Sequence, residues 1–182
     1  MDKRITCWHW LAEDKRLRWG TKEKVRVGRT YTAEGSLVMC KNGMHGSRRL
    51  LDALQYAPGT VLCRVQIWGG VQEQSDKLVG RNRKVLAMVD ATKMLHEAAC
   101  HFAEEALTVA KVTDVRCWNA IEIKRAWIKG NATDAELAAA GDAAWAAARD
   151  AAGDAARDAA RKKQNKYLEA EAAKLLRKEA KA

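Results

Sequence analysis

Apolar and polar residues alternate along several segments in the first half of the chain. In the segment TVLCRVQIWGG, the side chains of Val61, Cys63, Val65 and Ile67 fall on one face. This period of two predicts a β-strand over residues 60–68, ended by the glycine pair that follows. The same alternation predicts further strands over residues 4–11, 24–33, 36–41 and 85–89.

The periodicity becomes helical after residue 90. Apolar residues recur at three- and four-residue intervals over residues 93–110 and 115–129, which predicts two amphipathic helices. Residues that favour helix N-caps precede both segments: Asp90 or Thr92 before the first, and Thr113 or Asp114 before the second. Residues 1–130 are therefore predicted to form an α+β domain, with a small, mostly antiparallel sheet and packed helices.

The last third of the chain is rich in alanine. Thr133 and Glu136 match a capping box, which marks the start of a helix. The residues behind them are strong helix formers without proline, so a continuous helix about 65 Å long is predicted. This alanine-rich helical tail, residues 131–182, is either a solvated helix or a self-association surface. Its larger apolar residues are Trp145, Tyr167, Leu168, Leu175 and Leu176.

The protein is strongly basic, and its charge is uneven. Seventeen of the 33 Lys and Arg residues lie at or before Asp90, whereas only 9 of the 23 Asp and Glu residues do. The first half therefore carries most of the net charge of +10, which indicates an anionic partner such as nucleic acid, a nucleoprotein or an acidic protein. Solubility alone is the alternative. Six cations are candidates for nucleic-acid or anion binding: Arg48, Arg49, Lys77, Arg81, Arg83 and Lys84.

Several classes of protein are not expected from this composition. No run of about 18 apolar residues is present, so no membrane span is predicted. The N-terminus MDKRITCWHW lacks the apolar core of a secretion signal, and the five cysteines are widely spaced, which together suggest reduced thiols in a cytoplasm. A zinc site built from Cys7, His9, Cys40 and His45 would have no standard spacing, so neither a metal nor another cofactor is expected.

A histidine between glycines follows the strand predicted at residues 36–41, in the sequence NGMHGSRR. Asn42-Gly43 favours a hairpin turn, and Ser47 is placed to cap a short helix over RRLLDALQYA. In this interpretation His45 is a partly buried turn residue, and the helix start adds an anion-binding N-terminus near Ser47. No catalytic residue is then required.

The block from Val27 to Val71 resembles a family of small uncharacterised proteins encoded by bacteriophages and prophages. The shared pattern is G-x-x-Y, a cysteine, a G-x-H-x-S turn, DAL-x-Y and a strand that ends in glycine. Its positions here are Gly28, Tyr31, Cys40, Gly43, His45, Ser47, Asp52, Ala53, Leu54, Tyr56 and Gly69. The resemblance implies a viral accessory protein in the cytoplasm of a bacterial host, and it implies no particular activity.

His45-Gly46-Ser47 is also similar to the H-G-[ST] motif of ADP-ribosyltransferases of the poly-ADP-ribose polymerase type. This similarity implies that His45 and Ser47 hold the ribose and amide of NAD, with a tyrosine such as Tyr56 against the ring. The family's G-x-Y-F strand does not follow Ser47, and Glu73 is the only glutamate in the next strand region.

Two functions are therefore left open. The first is a non-enzymatic, phage-encoded protein that binds nucleic acid or a host nucleoprotein, for example as an anti-CRISPR-like inhibitor of host defence. The second is an ADP-ribosyltransferase-like enzyme that uses NAD. A pocket that joins His45, Tyr31 or Tyr56 and a carboxylate would favour the enzyme, whereas a flat basic face would favour the binding protein.

Overall fold

The computed structural model describes residues 3–18, 22–148 and 157–181. The strands are β1 (Ile5–Leu11), β2 (Thr30–Thr32), β3 (Met44–Gly46), β4 (Val61–Trp68), β5 (Gln72–Glu73), β6 (Leu78–Gly80) and β7 (Asn82–Asp90). The helices are α1 (Leu50–Leu54), α2 (Thr92–Val109), α3 (Val115–Ile128), α4 (Asp134–Ala148) and α5 (Arg157–Glu179). The fold is α+β, as the sequence predicts, with antiparallel sheets, packed helices and a C-terminal helix.

The chain forms two compact units. One contains the residues up to Thr92 together with the segment from Asn165 onward, and it holds both sheets. The other runs from Lys93 to Gln164. The division into a domain over residues 1–130 and a tail over residues 131–182 stays a prediction.

The first unit is built on a four-stranded antiparallel sheet in the order β1-β4-β7-β2. The alternation seen in the sequence of β4 is real, because Cys63, Val65 and Ile67 are fully buried. A second, three-stranded sheet has the order β3-β6-β5. The predicted strands over residues 4–11, 60–68 and 85–89 are thus confirmed as β1, β4 and part of β7.

A backbone contact joins the two sheets. The N–H of Trp8 donates to the carbonyl of Ser47 over 2.8 Å, and the N–H of Ser47 donates to the carbonyl of Trp8 over 2.9 Å. Ser47 directly follows β3, so this reciprocal pair holds β3 beside β1.

One predicted strand is much shorter than expected, and another is not formed. The segment over residues 24–33 contributes only β2, because Gly28 has a φ of 83° and turns the chain before Thr30. The segment over residues 36–41 is a turn, in which the carbonyl of Val38 accepts from the N–H groups of Lys41 and Asn42. The chain therefore reverses before Asn42-Gly43, and that pair does not form the hairpin turn that the sequence suggests.

Ser47 is not the N-cap of α1, contrary to prediction. The helix begins at Leu50, its N-cap position is Arg49, and the Arg49 side chain makes no capping hydrogen bond. The side chain of Glu169 accepts from the N–H of Leu50 over 3.2 Å, and that of Asn165 accepts from the N–H of Leu51 over 2.9 Å. Helix α5 therefore caps α1, and the N–H groups of Leu50 and Leu51 are already bound to its side chains.

The C-terminal half of α5 packs within the first unit. Leu168 and Ala172, one turn apart, are buried there, and Asn165 and Glu169 lie on the same side of the helix. The predicted single helix from residue 133 crosses residues 149–156, which lie outside the described residues. Self-association through the tail stays a prediction.

The second unit is helical. The capping box is confirmed at the start of α4, where the Glu136 N–H donates to the Thr133 hydroxyl and the Glu136 carboxylate accepts from the Thr133 N–H. Asp114 caps α3 by accepting from the N–H of Arg116. Of the two predicted caps, Thr113 and Asp114, the second is therefore confirmed. Helices α3 and α4 pack against each other, and Ile121 of α3 is buried.

The capping of α1 by α5 can be tested by truncating its two acceptors. Asn165→Ala and Glu169→Ala should each lower the free energy of unfolding by about 1 kcal/mol, because each leaves a backbone N–H of α1 without its partner. Urea unfolding would measure this. Glu179→Ala, an exposed change on the same helix, is the control and should stay within about 0.5 kcal/mol of the parent. Equal stability of all three variants would contradict the capping.

Candidate ligand-binding cleft

A cavity of about 790 Å³ opens in the first unit, beside β1, β3 and α1. Its walls carry apolar and aromatic side chains: Trp8, Trp10, Leu11, Leu17, Tyr31, Met44 and Tyr56. Cations also reach it, from Arg18, Lys41, Lys77 and Arg83. We call this cavity the cleft. Its volume falls in the range of sites that enclose small organic ligands.

Arg83 is a buried cation in the wall of the cleft. It lies on β7 between Tyr31 of β2 and Ile67 of β4, and it is only 4% exposed. One terminal nitrogen donates to the carbonyl of His45 over 3.1 Å, but Nε has no hydrogen-bond partner among the described residues. Burial lowers the pKa of the guanidinium, and no salt bridge to it forms in the described part of the chain. A buried cation without a counter-charge is costly unless something else compensates it.

Trp10 presents a second buried donor. It is 2% exposed, lines the cleft from β1, and its indole Nε1–H has no hydrogen-bond partner among the described residues. Buried indole N–H groups usually find an acceptor. Trp10 pairs with Leu62 across β1 and β4, so its side chain lies on the opposite face of the four-stranded sheet from that of Arg83. The two donors therefore do not serve one ligand group.

Two histidines of the cleft are held in the neutral form. Burial lowers the pKa of His9 well below its ordinary value, and the positive charge of Arg83 lowers it further. Burial lowers the pKa of His45, and the positive charge of Arg83 lowers it more weakly. A hydrogen bond to the backbone of Gly43 raises the pKa and offsets part of this effect. Nε2 of His45 accepts from the N–H of Cys40 over 3.0 Å. The His45 imidazole is therefore occupied by its own loop, and it orders the turn that precedes β3.

The glycines around His45 are explained by close backbone contacts. A Cβ at Gly46 would lie 2.7 Å from Sγ of Cys7 and 3.0 Å from the carbonyl of Trp8. A Cβ at Gly43, where φ is 132°, would lie 2.3 Å from a methyl group of Val79. Glycine is thus required at positions 43 and 46 for β3 to approach β1 and β6, whatever the cleft binds.

The mouth of the cleft holds a polar cluster around Lys77. Its ammonium group donates to the Tyr56 hydroxyl over 3.2 Å, and this contact, with a smaller effect of Cys40, raises the pKa of Lys77. The Tyr56 hydroxyl in turn donates to Asp76, which lowers the pKa of that carboxyl. Tyr56 itself is 52% exposed, so its ring is accessible beside the cleft.

The structure divides the residues that the sequence analysis proposed. His45, Ser47, Tyr56, Lys77 and Arg83 all line the cleft. The other candidate cations do not line it: Arg48, Arg49, Arg81 and Lys84. The six cations therefore do not act from one surface around the cleft.

Three of those four cations have partners within the protein. Arg48 pairs with Glu73 through two nitrogens, and Arg49 pairs with Asp52 over 2.5 Å. Arg81 donates to two backbone carbonyls of the segment after β2. Glu73, the carboxylate considered for ADP-ribosyl transfer, is thus bound to Arg48 and is not among the residues that line the cleft.

The sequence analysis did not single out Trp10 or the unusual position of Arg83. Trp10 belongs to a strand whose alternation indicates only that it packs. Arg83 lies in a polar stretch that suggests an exposed loop, and only the pairing of β7 between β4 and β2 buries it. The alternation of β7 could have indicated this burial, because Arg83 lies two residues before the buried Val85 and therefore on the same face of the strand.

The described residues contain no group of three or more His, Cys, Asp or Glu side chains that could hold a metal ion. The zinc arrangement considered from the sequence is therefore not assembled there. None of the helices in the described part of the chain is long and apolar enough to cross a membrane.

Residues 11–97 match the model of a family described as a domain of unknown function, DUF7666. The match begins at the last residue of β1 and ends within α2, so it includes β3, α1 and Arg83 but not Trp8, His9 or Trp10. No curated protein and no solved structure matches the chain.

The close approach at Gly46 predicts a steric cost for a larger residue. Gly46→Ala should lower the free energy of unfolding by about 1–3 kcal/mol, because its methyl group must displace Cys7 or the backbone of Trp8. Gly141→Ala is the contrasting control, since a Cβ there meets nothing within 4 Å. That change lies inside α4 and should stabilise the helix by about 0.5–1 kcal/mol. Urea unfolding of both variants would check the pair.

The lowered pKa values of His9 and His45 predict a loss of stability in mild acid. The unfolded chain binds protons on these histidines below about pH 6.5, whereas the folded chain resists protonation there. The free energy of unfolding should therefore fall as the pH decreases through and below that value, and it should be regained above it.

Urea midpoints across about pH 5 to pH 8 would measure this dependence. The double variant His9→Gln/His45→Gln should show a shallower dependence than the parent, whatever its absolute stability. An unchanged slope in the double variant would contradict the assignment.

Proposed function

We propose that the protein binds a nucleotide-type ligand in the cleft, with an anionic group at Arg83 and a ring against the aromatic walls. The observation that carries this proposal is that Arg83, a buried cation without a salt bridge among the described residues, lines a cavity with aromatic walls.

An anion is the chemistry that compensates the buried guanidinium of Arg83. Guanidinium groups bind phosphate and carboxylate oxygens with strong, charge-assisted hydrogen bonds. The histidines of the cleft are neutral near pH 7 because their pKa values are lowered, so Arg83 is the positive charge deepest in the wall. Burial makes its attraction for an anion stronger than that of a solvated cation.

A nucleotide supplies the remaining features. The cleft volume of about 790 Å³ exceeds what a bare phosphate needs. The exposed ring of Tyr56, with the Lys77 ammonium 4.8 Å from its centre, offers a surface on which a base can stack. Arg18 and Lys41 add positive charge to the lining of the cleft and suit further phosphates.

Two sources could supply this nucleotide chemistry. One is a free dinucleotide such as NAD, which the similarity of His45-Gly46-Ser47 to ADP-ribosyltransferases suggests. The other is the terminal nucleotide of a nucleic-acid strand, which the basic first half suggests. One cavity contains His45, Tyr31 and Tyr56 together with the carboxylates of Glu23 and Glu34. Such a pocket is the feature expected of the NAD-using enzyme, and it supports a ligand site over a flat basic face.

Binding is better supported than ADP-ribosyl transfer. Nε2 of His45 already accepts from Cys40, and Glu73 is paired with Arg48 away from the cleft lining. The wider role, a phage accessory protein that acts on a host nucleoprotein and inhibits a defence system such as CRISPR, remains part of the proposal. Pulldown from a bacterial lysate with and without nuclease tests that role.

The anion site predicts a difference between a nucleotide and its nucleoside. AMP and NAD should bind, and adenosine should bind at least about tenfold more weakly, because it lacks the group that pairs with Arg83. Calorimetric titration would measure the affinities. Equal affinity for AMP and adenosine, or no binding of either, would overturn the proposed site.

Variants of the arginines test the anion site directly. Arg81→Gln is the matched control, because Arg81 lies close to Arg83 in sequence but does not line the cleft; it should keep the parental preference for AMP. Arg83→Gln should abolish the preference for AMP over adenosine, with circular dichroism as the check on its fold. A folded Arg83→Gln variant that keeps the parental preference for AMP would contradict the role of Arg83.

A salt series separates the two sources. If the cleft holds only the terminal phosphate of single-stranded DNA, the affinity should fall by about 0.7 log unit per log unit of salt. A 5′-phosphorylated oligonucleotide should then bind more tightly than the same strand without that phosphate. Binding of NAD without any binding of oligonucleotide would leave the free dinucleotide as the ligand.

A further inference from the structure

The segment between β1 and β2 carries a concentrated positive charge. Residues 15–29 contain seven of the 17 Lys and Arg residues of the first half but only one acidic residue. The two arms of this segment meet in an antiparallel bridge between Arg16 and Lys24. We call residues 15–18 and 22–26 the basic ribbon.

One face of the basic ribbon is anchored in the protein. The N–H of Leu17 donates to the carbonyl of Glu23 over 3.0 Å, and the N–H of Val25 donates to the carbonyl of Lys15 over 2.7 Å. The side chains of Leu17 and Val25 are buried, whereas the residues on either side of each are exposed, apart from Glu23 and the intervening turn. Because successive side chains of an extended chain point to opposite faces, the other face of the ribbon is exposed to solvent. We call it the outer face.

The outer face is formed by cations without carboxylate partners. None of its five cations forms a salt bridge in the part of the chain that the structure describes: Arg16, Arg18, Lys22, Lys24 and Arg26. The carboxylate of Glu23 instead lines the cleft and pairs with Arg29 over 2.8 Å. None of these five cations is among the six that the sequence analysis proposed for anion binding.

The bridge places two like charges opposite each other. The flanking residues make the backbone hydrogen bonds, so Arg16 and Lys24 form a pair of the closely spaced type, with Cβ atoms about 5 Å apart. Like charges directly opposite each other destabilise a ribbon. A phosphate bound between them would replace this repulsion with charge-assisted hydrogen bonds. The outer face is therefore complementary to a chain of phosphates.

We propose that the outer face of the basic ribbon binds the phosphate backbone of double-stranded nucleic acid. Exposed cations bind such a backbone through the release of its counterions, without reading its sequence. The described residues of the outer face carry no aromatic ring on which an unpaired base could stack, which favours a duplex over a single strand. Arg16 and Lys24 do not line the cleft, so the proposal does not rest on the nucleotide site.

The test measures the salt dependence of duplex binding by the full-length protein. The protein is titrated into a short, fluorescein-labelled DNA duplex without terminal phosphates, and the anisotropy is followed over a salt series. Arg16→Gln/Lys24→Gln should weaken binding at low salt. It should also lower the slope of log affinity against log salt by about 1.8, because about 0.9 is lost with each phosphate contact.

A second double variant controls for net charge. Arg116→Gln/Lys174→Gln removes the same charge from two cations that pair with carboxylates outside the ribbon, and it should keep the parental slope. No binding of the duplex by the parent at low salt would overturn the proposal. Equal losses of slope in the two double variants would also overturn it, because net charge alone would then account for binding.

A charge reversal separates binding from folding. Lys24→Glu places a carboxylate opposite Arg16, so it should raise the urea midpoint at low salt while it weakens duplex binding more than Lys24→Gln does. Opposite changes in stability and affinity cannot result from unfolding. Unchanged duplex affinity in Lys24→Glu would contradict the proposed contact.

Parallel measurements distinguish this surface from the cleft and from other partners. Arg16→Gln/Lys24→Gln should bind AMP as the parent does, because neither residue lines the cleft. Duplex binding without AMP binding by the parent rejects the nucleotide site alone, and AMP binding without duplex binding rejects the ribbon alone. Tighter binding of single-stranded DNA or of polyglutamate than of the duplex would overturn the assignment of a duplex partner.

Discussion

The reciprocal backbone hydrogen bonds between Trp8 and Ser47 are the contact on which the cleft depends. They hold β3 so close to β1 that no Cβ fits at Gly46. With β3 fixed there, the carbonyl of His45 accepts from Arg83 on β7. The loop before β3 is then held over the four-stranded sheet by the bond from Cys40 to His45. One short strand thus joins the two sheets and forms a wall of the cavity, which explains why glycines flank the histidine.

The electrostatics of the cleft follow from burial more than from net charge. The chain carries ten more cationic than anionic side chains at pH 7, yet Arg48, Arg49 and Arg81 are engaged with carboxylates or backbone carbonyls. Arg83 is one residue among many in the charge count, but it is desolvated and lacks a carboxylate partner among the described residues. A single cation in this environment contributes more to selective anion binding than several solvated ones.

The sequence predicted what local patterns control. Period-two alternation located β1 and β4, and the capping box at Thr133 located the start of α4. It failed where distant residues compete with a local motif. Ser47 resembles an N-cap, but its backbone pairs with Trp8, and the caps of α1 come from side chains 114 and 119 residues away. The cleft could not be derived for the same reason, because His45 and Arg83 meet only through the order of the strands.

The central claim is that the Nε–H of Arg83 donates to an anionic ligand. Arginine Nε–H groups give separate signals in a ¹H–¹⁵N spectrum, and Arg83→Lys identifies the signal of Arg83 by its loss. Saturating AMP should shift this signal and slow its exchange with water, while the signal of Arg116, which pairs with Asp114 and does not line the cleft, stays in place. A shift of the Arg83 signal that adenosine does not produce is the result that the account predicts. AMP binding with an unshifted Arg83 signal would contradict it.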